Sequence, residues 1–173
     1  MKSSIFLGLC CLAPMAQAET KSVYLEDIAG ARIQIASVDV AATGDYKITM
    51  SDAPFTDHFL SMRPFRCLQG PAKHWCFVPY PYEIERNISD DLTDLEYDFL
   101  FVWKGATDYG INMWNGVYYK MQQVEGRVSG TLHEMDMDIL SAPPATGDLR
   151  PVAEKHLHES DPESHWLPRL VIE

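Results

Sequence analysis

Between residues 95 and 140 the chain alternates side-chain character with a period of two and breaks that alternation only at short turn signals. A period of two marks extended chain, because successive side chains point to opposite faces of a sheet. Leu95, Tyr97, Phe99, Phe101 and Trp103 fall on one face of a strand, and Glu96, Asp98, Leu100, Val102 and Lys104 on the other. Both faces are partly apolar, which predicts a central strand. A turn over residues 105–108 leads into residues 109–114. Asn115-Gly116 then supplies the strongest short hairpin signal in the chain, since a type I′ turn needs positive φ at both central residues. Residues 117–124 return, Glu125-Gly126 makes a second turn, and residues 127–140 run back out. The pattern predicts a four-strand antiparallel meander.

Two-residue loops at both turns fix the register. Trp114 is then opposite Val117, Asn112 opposite Tyr119, and Gly110 opposite Met121. Across the next turn Gln123 faces Val128, Met121 faces Gly130, Tyr119 faces Leu132, and Val117 faces Glu134. All of these share one side of the sheet, and its apolar character predicts that it faces inward.

Elsewhere the signals are shorter. Residues 32–35 and 45–50 read as half-buried strands, and Ser89 or Asp90 offers a cap for a short helix near residues 90–95. Residues 141–165 read as loop-rich, beginning with Ser141-Ala142-Pro143-Pro144. Residues 166–172 are apolar again and are expected to dock as a final edge strand, with Pro168 near its start, where a missing N–H is tolerated. The expected fold is all-β, an antiparallel meander closing as a small calyx-like β-barrel or packing as a β-sandwich, with an irregular C-terminal segment. Residues 19–173 are expected to form a single β-rich domain.

The first eighteen residues have a different character. Lys2 precedes an apolar stretch from Ile5 to Ala13, followed by Ala16-Gln17-Ala18. A charged start, a short apolar region and an A-x-A site define a secretory signal peptide, so cleavage is expected near Ala18 and the product is expected to be secreted or periplasmic. Cleavage would remove Cys10 and Cys11 and leave Cys67 and Cys76. These two flank the turn Gln69-Gly70-Pro71-Ala72-Lys73, and a hairpin centred between Pro71 and Ala72 sets them directly opposite each other. Cross-strand neighbours lie within bridging distance, and an oxidising compartment favours a disulfide.

A formal net charge of −11 with no Lys/Arg cluster repels phosphate backbones, so no nucleic-acid partner is expected. No stretch after the leader approaches the roughly 18 apolar residues of a membrane-spanning helix, so no transmembrane segment is expected. The chain has no G-x-S-x-G elbow, glycine-rich phosphate loop, H-E-x-x-H or C-x-x-C-H signature. Three functional readings remain. The leading one is a non-enzymatic module that binds a small apolar or amphipathic ligand, or an envelope protein, with Asn112, Trp114, Tyr119 and Glu134 lining a cavity on the inward face. The second is an extracytoplasmic metal-binding protein. His133, Met135 and Met137, at i, i+2 and i+4 of a strand, form a soft set suited to copper, and His156, His158 and His165 offer imidazoles for zinc or copper. The structural alternatives are that the methionines fill core and that Asp161-Pro162-Glu163 simply caps a helical turn. The third reading is a hydrolase using a carboxylate pair drawn from Glu96, Asp98, Glu134 and Asp136.

Overall fold

A computed structural model describes residues 18–60 and 63–173. The expected leader, apart from its last residue Ala18, lies outside the described residues. The strands are β1 (Glu19–Glu26), β2 (Arg32–Val40), β3 (Tyr46–Met50), β4 (Thr56–Leu60), β5 (Arg63–Gln69), β6 (Lys73–Phe77), β7 (Phe101–Gly105), β8 (Gly116–Val124), β9 (Arg127–Met135), β10 (His158–Glu159) and β11 (Arg169–Ile172). They form one antiparallel sheet in the order β3-β2-β1-β11-β9-β8-β7-β6-β5-β4, with β10 alongside β9. The sheet is open, with β3 and β4 as its edges, so the expected closed calyx is not formed. Among the described residues no helix is long and apolar enough to cross a membrane.

Local turn chemistry explains the registers that match expectation. Glu125 and Gly126 have φ of 51° and 81°, the paired positive values of a type I′ turn. They set Gln123 opposite Val128, Met121 opposite Gly130, Tyr119 opposite Leu132 and Val117 opposite Glu134. Cys67 lies opposite Cys76 across β5 and β6, and the two are joined by a disulfide. In the chain-entropy account, closing so short a loop contributes about 3 kcal/mol.

Three expectations are corrected. Asn115-Gly116 is not a hairpin turn. Neither residue has positive φ, and Gly116 opens β8, paired with Val102 of β7. A Cβ there would meet the Met135 carbonyl oxygen at 2.5 Å, so this glycine permits close strand approach rather than chain reversal. Residues 106–115 are a loop, and the pairing of Trp114 with Val117, Asn112 with Tyr119 and Gly110 with Met121 does not occur. The strand expected over residues 95–104 is helical in its first half: α1 spans Thr93–Asp98 and β7 begins at Phe101. Finally, β11 is not an edge strand, because it lies between β1 and β9.

The helix has a structural task. β7 pairs with β8 only at Gly116 and Val117, and then diverges. The N–H of Met121, further along β8, would be left without a strand partner in a dry site. Glu96 of α1 supplies the acceptor at 2.7 Å, and its other oxygen takes the hydroxyl of Tyr118 and faces the Lys120 ammonium at 3.4 Å. The buried carboxylate therefore substitutes for a missing strand.

The two sheet faces carry two cores. Leu68 and Trp75 turn to one face with Val23, Leu25, Phe101, Tyr119 and Leu170. Cys67 and Cys76 turn to the other with Val102, Tyr118, Met135 and Met137, covered by residues 78–84 and by Leu140. The first core is filled. Tyr119 is fully buried, accepts a hydrogen bond from Trp75 Nε1 at 3.0 Å and donates one to the Leu167 carbonyl at 2.8 Å. Burial raises its phenol pKa far above the ordinary range, so it stays neutral.

Candidate functional site

The second face is where the surface becomes concave. After β6 the chain runs through Val78-Pro79-Tyr80-Pro81-Tyr82, whose prolines hold it extended and prevent it from adding another strand. After β9 a short 3-10 turn, Met137–Leu140, is capped by Asp136, whose carboxylate accepts the Asp138 N–H at 2.9 Å. These two segments stand apart over the sheet and leave a groove of about 290 Å³, with walls that include Val78, Tyr80, Tyr82, Leu100, Met113 and Met137. Tyr82 donates to the Leu140 carbonyl at 3.2 Å, and Tyr80 packs edge-on against Tyr97 with centroids 4.7 Å apart, so the aromatic wall is fixed in place. A second cavity of about 330 Å³ adjoins it through Arg63 and Pro79.

Arg63 is the cation of this groove. Its guanidinium lies 4.8 Å from the Phe65 ring centroid and forms no ion pair among the described residues. Asp138, which also lines the groove, is engaged by Trp114, whose indole N–H donates to it at 3.2 Å. The groove therefore combines an apolar floor with one cation, Arg63, that has no carboxylate partner among the described residues, and one carboxylate, Asp138.

The four residues expected to share a cavity do not meet in one. Tyr119 is core. Trp114 (68 % exposed) and Asn112 sit on the 106–115 loop, with Trp114 reaching the groove through Asp138. Glu134 lies on the filled face, where it meets His165. His165 Nε2 is 2.9 Å from Glu134 Oε1, and Lys73 Nζ is 3.3 Å from His165 Nδ1. A lysine can only donate, so these partners assign the proton to Nε2. Burial, opposed by Glu134 and reinforced by Lys73, holds the His165 pKa below its ordinary value, and burial likewise lowers that of Lys73. Both ring nitrogens are occupied, so this cluster ties residues 161–167 to the sheet.

Among the described residues, no three His, Cys, Asp or Glu side chains gather as a metal-binding group. His156 accepts the Ala153 N–H at 3.0 Å, His158 is exposed on β10, and His165 is occupied as described. Met135 and Met137 are buried around Gly116, while His133 is engaged with the Thr131 carbonyl at 3.1 Å. The four carboxylates considered for hydrolysis are likewise committed. Glu96 serves β8, Asp98 takes Arg86 and Tyr46, Glu134 takes His165, and Asp136 caps its turn. A larger open cleft of about 760 Å³ is acidic; its Asp45 accepts from the Asn87 amide, and its Asp91 accepts from Arg150 and from the Thr93 N–H.

Sequence reasoning missed Arg63, and counted Tyr80 and Tyr82 only among the many aromatics that could form a cavity wall or a core. The Pro-Tyr-Pro-Tyr run was the available signal, because alternating prolines and aromatics mark extended chain unable to join a sheet interior. No protein-family model, no curated protein and no solved structure matches this chain.

Proposed function

We propose that this chain is an extracytoplasmic, non-enzymatic binding module for a small amphipathic anion. The apolar tail lies against Tyr80, Tyr82 and Met113, and the headgroup sits on Arg63. The observation that carries this reading is the largely apolar groove whose one cation, Arg63, pairs with no carboxylate among the described residues, in a chain of net charge −11. Such a cation offers an anion a charge-assisted contact that the rest of the surface opposes. The leader pattern and the Cys67–Cys76 disulfide support an oxidising location.

The test is titration with laurate and with dodecanol, followed by the fluorescence of Trp114 and the other tryptophans. Laurate is expected to bind, and Arg63→Ala to weaken it about tenfold or more, the scale of one charge-assisted hydrogen bond. Dodecanol should bind wild type and Arg63→Ala alike. As a surface substitution Arg63→Ala should leave unfolding stability within about 0.5 kcal/mol. Laurate affinity unchanged in Arg63→Ala, or no laurate binding at all, would overturn the assignment.

A further inference from the structure

Residues of the 106–115 loop also line a separate cleft of about 380 Å³. Lys104 forms part of its lining. This lysine is only 5 % exposed, yet its ammonium donates to a single neutral group, the Gly105 carbonyl at 2.7 Å, and makes no ion pair among the described residues. An ammonium has three donors, and a buried cation without a counter-charge is costly to keep. Nothing on the adjoining strand offsets it. His74, opposite Lys104 on β6, has a buried Nδ1 with no hydrogen-bond partner, and burial together with Lys104 holds that imidazole toward its neutral form.

The same cleft contains a negative charge that does not reach the lysine. Asp108 Oδ2 accepts the Gly105 N–H at 3.1 Å. One glycine thus holds Lys104 by its carbonyl and Asp108 by its N–H, and a Cβ at that position would collide with the Asp108 carboxylate. The glycine keeps the two charges apart within one cavity, each resting on a neutral backbone group. Asn112 spends its Oδ1 on the Trp114 N–H at 3.1 Å, which leaves its amide donors without a partner among the described residues. Tyr109, 96 % exposed, and Ile111 add an aromatic and an apolar wall.

We propose that this cleft binds a small zwitterion of the α-amino-acid class, with its carboxylate on Lys104 and Asn112 and its ammonium on Asp108. An apolar side chain lies along Ile111 and Tyr109. A simple anion would be repelled by Asp108 and a simple amine by Lys104, so the separated pair selects a ligand that carries both charges.

Calorimetric titration of the whole chain with three probes tests this. L-Leucine carries both charges, 4-methylpentanoate lacks the amine, and 3-methylbutylamine lacks the carboxylate. L-Leucine is expected to bind, with each analogue about tenfold or more weaker. Lys104→Met should abolish L-leucine binding. Asp108→Asn, at an exposed position, should bring L-leucine and 4-methylpentanoate to equal affinity and carries the test should Lys104→Met not fold. Arg63→Ala should leave L-leucine affinity unchanged, which separates this cleft from the laurate groove. No heat with L-leucine, equal affinity for all three probes in wild type, or L-leucine affinity unchanged in both variants of the cleft would overturn the proposal.

Discussion

The chain flanks β7 with two non-strand insertions that treat charge in opposite ways. Ahead of it, α1 brings Asp94, Glu96 and Asp98, and every one is answered. Asp94 takes Arg150 at 2.8 Å and the Arg86 N–H at 2.8 Å, Asp98 takes Arg86 and the Tyr46 hydroxyl, and Glu96 serves β8. Behind it, the buried Lys104 of β7 and the exposed Asp108 of the 106–115 loop rest on backbone groups of Gly105 instead of each other. Buried charge with a complete set of partners is structural equipment. Buried charge left without a counter-ion among the described residues, as at Lys104, is the costlier arrangement.

The contrast is broken most directly at Glu96. Glu96→Ala should strand the Met121 N–H and the Tyr118 hydroxyl and cost about 3–5 kcal/mol in urea unfolding, while Glu96→Gln, which can still accept from Met121, should lose much less. A small loss in Glu96→Ala would mean that α1 is an ornament rather than a substitute strand. His165 is the intermediate case, buried and fully bonded but with a partner, Glu134, that is 40 % exposed. Its folded pKa lies below that of the unfolded chain, so between the two values the unfolded state holds more protons and stability rises with pH. Its contribution is complete above the unfolded value near 6.5 and is lost as pH falls through the folded one. Lys73, Glu134 and Asp161 all act on this ring. Stability measured from pH 7 downward should therefore fall less steeply in His165→Gln than in wild type, and parallel curves would show that His165 is not held neutral by its burial. The smallest expected effect sharpens the contrast. Lys104→Met should leave thermal stability unchanged or slightly raised, because a buried charge without a partner is replaced by an apolar chain of similar shape. A loss as large as that of Glu96→Ala would place Lys104 among the structural charges.

How much of this was legible in the sequence depended on how local its cause was. The Cys67–Cys76 pairing and the β8–β9 register follow from turns a few residues long, so both could be read directly. Asn115-Gly116 misled because a glycine needed for close contact with Met135 looks the same as one needed for positive φ. The strand expected through residues 95–104 failed because α1, at six residues, is too short to show a 3.6-residue period. Of the site residues, Trp114 and Asn112 lie on the 106–115 loop, whereas Tyr119 was drawn into the core. Arg63 stayed hidden because its place in the groove, without an ion pair among the described residues, is set by segments far apart in sequence.

The position of β11 has a consequence for assembly. β1 and β9 are not paired with each other, so four residues, Arg169–Ile172, join β1–β3 to β4–β9 within the sheet by backbone hydrogen bonds. A chain emerging from its amino end can form its hairpins one by one, but it cannot unite the two half-sheets until residue 172 arrives. The sheet therefore closes last at its middle, a non-local event that makes folding slow relative to hairpin formation and leaves the facing edges of β1 and β9 open to other strands until then.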